Sequence, residues 1–268
     1  MATNKSFSSA EGWGNDTLSR FQEMAFTNEM STFAHFPKWH GLLNEISIVL
    51  EKCSHYANDE IGKSYAGHQS YVLFIFAYSD YLALVRCAAA GHCLPAYAVG
   101  RASIEFSWYS WYLSTSLYVY ERWAKKPIQP TDADKDSPQY KKWKKWNAEF
   151  SFHHIIKNNL SKTDEGLSIL ADYLYKTAID EGGHPNLSAY DSNTKLKNKI
   201  FQSNILHEWN DPSQKAMLFA VEVGMFLIRL FAISFRKADD AIGLTKAVAM
   251  FANELKLLQE RGLLTKRK

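Results

Sequence analysis

Two opposite charges stand one helical turn apart in the most aromatic stretch of the chain. Arg101 and Glu105 are four residues apart, and residues at this spacing lie side by side on a helix. Their sequence neighbours are large and apolar, so we expect both side chains to be largely buried. A buried arginine–carboxylate pair either fixes how helices pack or forms a pocket that binds or converts a ligand. We favour the structural use and leave the second open.

A histidine in an irregular segment is the first candidate partner for this pair. His184 follows two glycines and precedes Pro185, which biases its backbone toward an extended conformation. The glycines permit close approach to another element, and an imidazole placed against the pair could act as general acid or base. The alternative is a loop histidine that caps a helix or bonds a buried group. We expect Arg101, Glu105 and His184 to converge. The neighbours expected on the ligand-binding side are Tyr97, Trp108 and Asn186.

A second arginine–histidine spacing stands at the end of the preceding helical stretch. Arg86 and His92 form an Arg-x5-His pattern. It resembles the Arg-x(4–6)-His signature of the HEPN domains, helical bundles many of which are metal-independent ribonucleases. The resemblance implies that Arg86 stabilises phosphate charge and that His92 handles a 2′-hydroxyl proton. The pattern crosses a glycine turn, and Cys87 stands where a polar residue often follows the arginine.

The metal-ligand spacings in the sequence do not complete a site. Glu149 and His153 are four residues apart and could share a metal on a helix, but a di-metal carboxylate site needs such a motif on two helices. The sequence contains no Gly-rich phosphate loop, GxSxG turn or HExxH motif. We therefore expect no metal and no cofactor.

Composition excludes wholesale disorder and does not favour nucleic-acid binding by bulk charge. Of 268 residues, 46% are hydrophobic and 14% aromatic, which is enough to build a core. The formal net charge is +3, so charge alone does not indicate RNA as a partner, although RNA stays open. Three cysteines without a CxxC pair favour a reducing cytoplasm.

Neither the N-terminus nor the apolar stretches predict a membrane protein. The N-terminus is polar and lacks the apolar core of a signal peptide. Residues 71–87 and 216–235 are strongly apolar, but the first stretch contains Asp80 and the second contains Glu222 and Arg229. Such charges are costly in lipid. We expect buried helices, a cytoplasmic protein and no membrane partner.

One long helix must position the central pair. Residues 96–125 contain no proline and one glycine, and at 1.5 Å per residue they would form a helix about 45 Å long. This helix is apolar on every side, which predicts that other helices surround it. The preceding helix, residues 70–90, ends at Gly91. Because the connection is short, we expect an antiparallel hairpin.

The remaining chain predicts further helices around this hairpin. They are expected at residues 39–57, 138–159, from Ser161 to about 180, at 213–236 with Asp211 and Pro212 as cap, and at 239–261. Residues 1–37 are expected to form a loosely ordered arm with a short helix at 16–29, residues 38–262 the helical domain, and 263–268 a basic tail. A brief extended pair is allowed at 199–209. The prediction is an all-α fold, a single antiparallel bundle of about six or seven helices.

Lysines interleave with aromatic residues in the stretch 138–159. The basic residues are Lys141, Lys142, Lys144 and Lys145, and the aromatic ones between and after them are Trp143, Trp146 and Phe150. Basic residues alternating with aromatics suit a nucleic-acid surface. An amphipathic helix with solvated lysines gives the same pattern, and we favour that interpretation.

Two short elements in the middle third of the chain carry a further resemblance. Residues 97–105 read Tyr-Ala-Val-Gly-Arg-Ala-Ser-Ile-Glu, and a His-Pro-Asn element follows at 184–186. Together they resemble a loose family of uncharacterised bacterial all-helical proteins. The resemblance implies an all-α fold and pairs Arg101, Glu105 and His184 as neighbours. It implies no substrate.

Three functions are compatible with these residues. The favoured hypothesis is an interaction or regulatory domain, with a homodimer left open, whose buried Arg-Glu-His centre is structural. The first alternative is a HEPN-like metal-independent ribonuclease in a defence or toxin setting, using Arg86 or Arg101 with His92 or His184. The second is a small-ligand-binding domain lined by the aromatic residues of the central helix. Whether the protein is an enzyme is left undecided.

Overall fold

The protein folds as helices, as the spacing of its apolar residues predicts. A computed structural model describes residues 14–60, 65–130, 135–183, 187–197, 200–203 and 205–260. Nearly all of these residues are helical, and one short hairpin interrupts them. The predicted all-α fold is therefore confirmed.

The helices differ widely in length. In chain order they are α1 (Thr17–His35), α2 (Pro37–Glu60), α3 (Tyr65–Ala89), α4 (Cys93–Ser114), α5 (Leu117–Ala124), α6 (Pro138–Glu149), the π-helix π1 (His153–Leu160), α7 (Ser161–Thr163), α8 (Glu165–Ala178), the π-helix π2 (Ile179–Gly183), α9 (Leu187–Asn193), α10 (Asp211–Ser234), α11 (Arg236–Ile242) and α12 (Leu244–Glu260). Among the described residues, seven of these have 14 or more residues: α1, α2, α3, α4, α8, α10 and α12. This agrees with the expected six or seven.

The first described helix is longer than the one expected at 16–29. The side chain of Asp16 accepts a hydrogen bond from the Ser19 amide at 2.8 Å and so caps α1. The helix continues to His35, and α2 begins at once with Pro37, a residue suited to a first helical turn. Residues 1–13 and 261–268 lie outside the described residues, so the predicted arm and basic tail stay predictions.

The predicted antiparallel hairpin of α3 and α4 is confirmed. Gly91 separates the two helices with a φ of +84°, a conformation that glycine adopts without a steric penalty. Two serines of α4 bond across to α3: Ser103 Oγ donates to the Ala77 carbonyl at 2.7 Å, and Ser110 Oγ donates to the Ser70 carbonyl at 2.7 Å. These contacts hold the helices together along most of their length.

The central helix is shorter than predicted. Residues 96–125 do not form one helix, because α4 ends at Ser114 and α5 starts at Leu117. The hydroxyl of Thr115 donates to the Tyr112 carbonyl at 2.7 Å, and the side chain of Ser116 caps α5. Short polar side chains that bond to nearby backbone offer the chain an alternative to the helix, which explains the break.

Four other boundaries also differ from the expectation. The helix expected at 138–159 ends at Glu149 and is followed by π1. The long helix after π1 is capped by Asp164, whose side chain accepts from the Leu167 amide at 2.8 Å, and not by Ser161. Asn210, rather than Asp211, caps α10 in a capping box. The helix expected at 239–261 is split at Gly243, which has a left-handed φ of +74°.

A small hairpin lies between α9 and α10. Strand β1 (Thr194–Lys197) pairs antiparallel with β2 (Ile200–Ser203), and Thr194 stands opposite Ser203. The extended pair expected at 199–209 therefore starts earlier, and residues 206–209 instead run along α1.

Two helices of the described chain are long and apolar enough to span a membrane, by length and composition alone. They are the part of α3 at Gly67–Ala89, with mean hydropathy 1.6, and α10, with mean hydropathy 2.1. Within their most apolar windows, 39% of the α3 residues and 72% of the α10 residues are buried in the protein. This is a weak indication, since core helices of soluble proteins share these properties, and the expected absence of a membrane partner stays a prediction.

Candidate functional site

The central charged pair forms but is not deeply buried. Arg101 Nε donates to Glu105 Oε1 at 2.8 Å, and the side chains are 27% and 36% exposed. The expectation of a largely buried pair was therefore wrong. The apolar residues beside the pair in sequence point to other sides of α4: Ile104 and Trp108 are buried, while the stripe of Arg101 and Glu105 faces the edge of the packing.

Tyr175 of α8 is the partner that completes this pair. Arg101 Nη2 donates to the Tyr175 hydroxyl at 3.0 Å, and the guanidinium carbon lies 5.1 Å from the centre of the Tyr175 ring. Burial alone would lower the pKa of Arg101, but the hydrogen bonds and charges of Glu105 and Tyr175 raise it. The guanidinium is thus a permanently charged link between α4 and α8.

Aromatic rings surround this link. Phe152 stacks on Tyr175 with ring centres 4.5 Å apart, and Trp108 packs against both rings at 5.0 and 5.2 Å. Tyr109 donates its hydroxyl to the Phe150 carbonyl at 2.6 Å. Burial, and secondarily the charges of Glu105 and Tyr175, raise the pKa of Tyr109 to about 12. We call Arg101, Glu105, Trp108, Tyr109, Phe152 and Tyr175 the α4–α8 cluster.

The predicted ligand-binding aromatics belong to the core. Tyr97 and Trp108 are each 3% exposed, and the Tyr97 ring lies 4.9 Å from the Phe219 ring of α10. Trp108 Nε1 is buried and has no hydrogen-bond acceptor among the described residues. With their rings enclosed in this way, both side chains serve packing in the structure.

The histidine expected to join the pair lies outside the described residues. This holds for His184, Pro185 and Asn186, so their convergence on Arg101 stays a prediction. The structure does show how the chain leading to them is placed. A Cβ on Gly182 would lie 2.7 Å from the Leu94 carbonyl oxygen and 3.0 Å from Tyr97 Cβ, so the expectation that a glycine here permits close approach is confirmed.

The second arginine–histidine pattern meets a carboxylate from α1. Glu29 Oε2 lies 3.7 Å from Arg86 Nε, and the Arg86 side chain is 74% exposed. Burial, and then the charge of Arg86, lower the pKa of His92, whose ring packs edge-on against Phe21 at 5.3 Å. Arg86 and His92 therefore influence one another, but Glu29 opposes the binding of a phosphate there. The ribonuclease hypothesis stays a prediction.

A cavity of about 950 Å³ opens along one face of α1. We call it the α1 groove. Its apolar lining comprises Met24, Phe36, Leu206 and Trp209; its polar lining comprises Arg20, Glu23, Thr27, Asn28, Ser31, Thr32, His35 and Glu208. Phe36 and Trp209 stack with ring centres 3.8 Å apart at one end. Most of one wall is α1, and the other is the segment 206–209.

Asn28 fastens the two walls to the α3–α4 turn. Its Nδ2 donates to the Ala90 carbonyl and to the His207 carbonyl, both at 2.8 Å. The His207 amide donates to the Gly91 carbonyl at 2.9 Å. A Cβ on Gly91 would lie 2.0 Å from the His207 carbonyl oxygen. The turn therefore needs a glycine both for its positive φ and for this contact.

The side chain of His207 further fixes the segment 206–209. The ring is 3% exposed, and its Nε2 lies 2.7 Å from Asn193 Oδ1 at the end of α9. Asn210 Nδ2 lies 3.4 Å from the other ring nitrogen. The groove wall is thus tied to α9 and to the start of α10.

Glu222 of α10 has an acidity that differs strongly from that of a carboxyl group in water. Burial raises the pKa of Glu222 to about 7, because removing a carboxylate from water disfavours its charged form. Among the described residues, no group of three or more His, Cys, Asp or Glu side chains gathers into a potential metal site.

Comparisons with known proteins give no relative from which a function could be carried over. No protein-family model, no curated protein sequence and no solved structure matches the chain. The site must therefore be judged on its own geometry.

Sequence reasoning missed the residues that build the α1 groove and the partner of Arg101. Tyr175 stands beside the predicted apolar stripe of its helix, and an aromatic residue there gives no sign of contact with a charge. Asn28 and His207 meet across 179 positions of sequence. The available signal was Gly91, since a required glycine marks close approach of another segment.

Proposed function

We propose that this protein is an interaction domain that binds a short segment of a partner protein in the α1 groove. The observation that supports this most is a cavity of about 950 Å³ whose lining combines four apolar side chains with polar ones. Contiguous exposed apolar surface typically marks an interaction site.

The lining of the groove suits a peptide better than a phosphate. Met24, which is 62% exposed, has a flexible side chain that adapts to different apolar partners. Thr27 and Ser31 offer hydroxyls beside it, which can bond a peptide backbone. One arginine stands against two glutamates in the lining, so the groove does not favour an anion.

The length of the groove fits a segment of several residues. It follows α1 from Arg20 to Phe36, which at 1.5 Å per residue is about 24 Å. An extended peptide rises about 3.3 Å per residue, so about seven residues fill this distance. The hydrogen bonds of Asn28 to the α3–α4 turn and to His207 supply the rigid frame that such a site needs.

A peptide selection with matched variants tests the proposal. A phage-displayed library of random dodecapeptides is selected on the wild-type protein, and the enriched peptides are measured by fluorescence anisotropy on two variants. Met24→Glu places a charge in the groove. Met250→Glu places the same charge on α12, where the native side chain is 58% exposed and lies outside the groove lining.

We expect enriched peptides with large apolar residues that bind Met24→Glu at least tenfold more weakly and Met250→Glu with unchanged affinity. Circular dichroism and thermal unfolding establish that both variants are folded. Selection without enrichment, or equal binding of the peptides to both variants, would show that the groove is not a peptide site.

A further inference from the structure

Helix α6 carries a concentrated basic surface that the α1 groove does not explain. None of its twelve residues is buried, and its four lysines are all exposed. These are Lys141, Lys142, Lys144 and Lys145. A helix without buried residues gains little stability from packing. The sequence of α6 is therefore not constrained by a core, and its exposed residues can be used for binding.

The lysines occupy one side of α6 and the aromatic residues the opposite side. At 100° per residue the four lysines cover an arc of about 160°. On the other side, Phe150 is 3% exposed and accepts a hydrogen bond from Tyr109 at 2.6 Å. Trp146 Nε1 donates to the Arg122 carbonyl at 3.0 Å. Trp146 and Phe150 face the protein, and the lysines face outward.

Few acids offset this positive charge. Glu149 pairs with Arg122, and Asp136 lies 3.7 Å from Lys141. No carboxylate of the described residues forms an ion pair with the other three lysines of α6. Lys125 and Lys126, at the end of α5, are exposed as well; Lys125 lies 4.0 Å from Glu121, and the ammonium of Lys126 lies 5.2 Å from the Trp146 ring. The basic surface therefore extends from α5 to α6.

We propose that the outward side of α6 binds the phosphate backbone of single-stranded nucleic acid. Lysines are flexible point charges that neutralise phosphates without reading sequence. Tyr140 lies at the edge of the lysine arc and is partly exposed; its ring lies 5.7 Å from that of Trp143 and does not pack against the core. Half-exposed rings beside lysines provide stacking positions for unpaired bases.

The orientation of the aromatic side argues against a membrane surface as the partner. A basic helix that lies on a membrane presents large apolar side chains to the lipid. In α6 the corresponding residues, Trp146 and Phe150, are engaged with Arg122 and Tyr109. The lysine side presents mainly charge, which suits a flexible polyanion.

Binding of a labelled oligonucleotide tests the proposal. The probe is a 20-nucleotide oligo(dT) with a 5′ fluorescein, followed by fluorescence anisotropy at 50 and 150 mM NaCl. One variant replaces the four lysines of α6 by glutamine. The matched control replaces four exposed lysines of other helices by glutamine, so that both variants change the formal net charge from +3 to −1. The control lysines are Lys38, Lys52, Lys237 and Lys246.

We expect the α6 variant to bind at least tenfold more weakly and the control to stay within about threefold of the wild type. If the lysines neutralise three or four phosphates, the affinity should fall steeply with salt. Raising NaCl from 50 to 150 mM should then weaken wild-type binding by about 10- to 20-fold. Tyr140→Ala should weaken binding severalfold with an unchanged salt slope, because stacking is uncharged.

Three results would overturn the proposal. The first is an absence of binding at 50 mM NaCl. The second is an equal loss in both variants, which would assign any binding to overall charge. The third is binding of phosphatidylserine vesicles that depends on the α6 lysines, with no binding of the oligonucleotide. Because α6 has no buried residue, the variants should keep the wild-type circular dichroism spectrum.

Discussion

Helices α3 and α10 are both strongly apolar, but the rest of the protein encloses them to different degrees. Both are apolar enough for a membrane span, yet the buried share is 39% for α3 and 72% for α10. Helix α10 packs against α2, α3, α4, α8 and α12, and its large residues Phe219, Phe226 and Phe231 are enclosed. Helix α3 packs on α4 and α10 but leaves Phe76 and Leu82 47% and 43% exposed. Average hydropathy therefore does not reveal which helix the others surround.

The two helices also differ in the environment of their charged residues. In α10, a carboxylate oxygen of Glu222 is buried and the pKa of this residue is raised to about 7. In α3, Arg86 is exposed and pairs loosely with Glu29. In an enclosed helix, a single polar group or a single added methyl group lowers the stability of the fold. At the surface, either change has little effect on stability. Three substitution pairs test this difference.

The largest effect is expected from adding volume to α10. A Cβ on Gly224 would lie 2.5 Å from Ile46 Cγ2 and 2.9 Å from Tyr81 Cε2. Gly224→Val should therefore lower the free energy of unfolding by about 3 kcal/mol, because these core side chains must shift. Ala83→Val on the exposed side of α3 should change it by less than about 0.5 kcal/mol. Urea denaturation measures both, and a similar cost at the two positions would contradict the comparison.

A pH-dependent effect is expected from Glu222. Its folded-state pKa is raised to about 7, so folding favours the protonated form. Stability is then highest below the unfolded-state pKa and declines as the pH rises toward 7 and above. Glu222→Gln should raise the free energy of unfolding by about 2–3 kcal/mol at pH 8 and leave it unchanged at pH 4.

The measurement is urea denaturation of both proteins between pH 4 and 8. Glu29→Gln on α1, at the surface of α3, serves as the control, since Glu29 is only partly buried and Arg86 opposes the rise of its pKa. A constant difference between wild type and Glu222→Gln at every pH would show that Glu222 does not titrate in this range.

The smallest effect concerns the acids that pair with each helix. Asp164 caps α8 and also accepts from Arg229 of α10 at 2.6 Å. Asp164→Ala should lower the free energy of unfolding by about 1–2 kcal/mol, mostly through the lost cap. Glu29→Ala removes the partner of Arg86 and should cost less than about 0.5 kcal/mol. If thermal unfolding shows a larger loss of stability for Glu29→Ala than for Asp164→Ala, the Arg86–Glu29 pair contributes more to stability than its geometry indicates.

Local patterns predict the helices of this protein well, because helix formation depends on spacing and on the residues at the ends. The hairpin of α3 and α4 and the role of Gly91 follow from such signals. The break after Ser114 was missed because the apolar pattern continues through it, and only side-chain hydrogen bonds to the backbone interrupt the helix.

The candidate sites were harder to predict because they depend on which helix covers which side. The stripe of Arg101 and Glu105 has apolar neighbours in sequence, yet it meets Tyr175 at an edge and stays partly exposed. The α1 groove combines a helix near the N-terminus with residues 206–209. Spacing along one helix carries no information about such distant pairs.

The double hydrogen bond of Asn28 has a consequence for the order in which the molecule opens. If α1 detaches, the carbonyls of Ala90 and His207 lose a shared donor, and the segment after β2 loses its attachment to the helix. The detachment of α1 and the loosening of the segment after β2 should therefore occur together, as a single cooperative event. In hydrogen exchange, the amide of His207, which bonds to Gly91, should exchange at the same rate as the amides in the middle of α1.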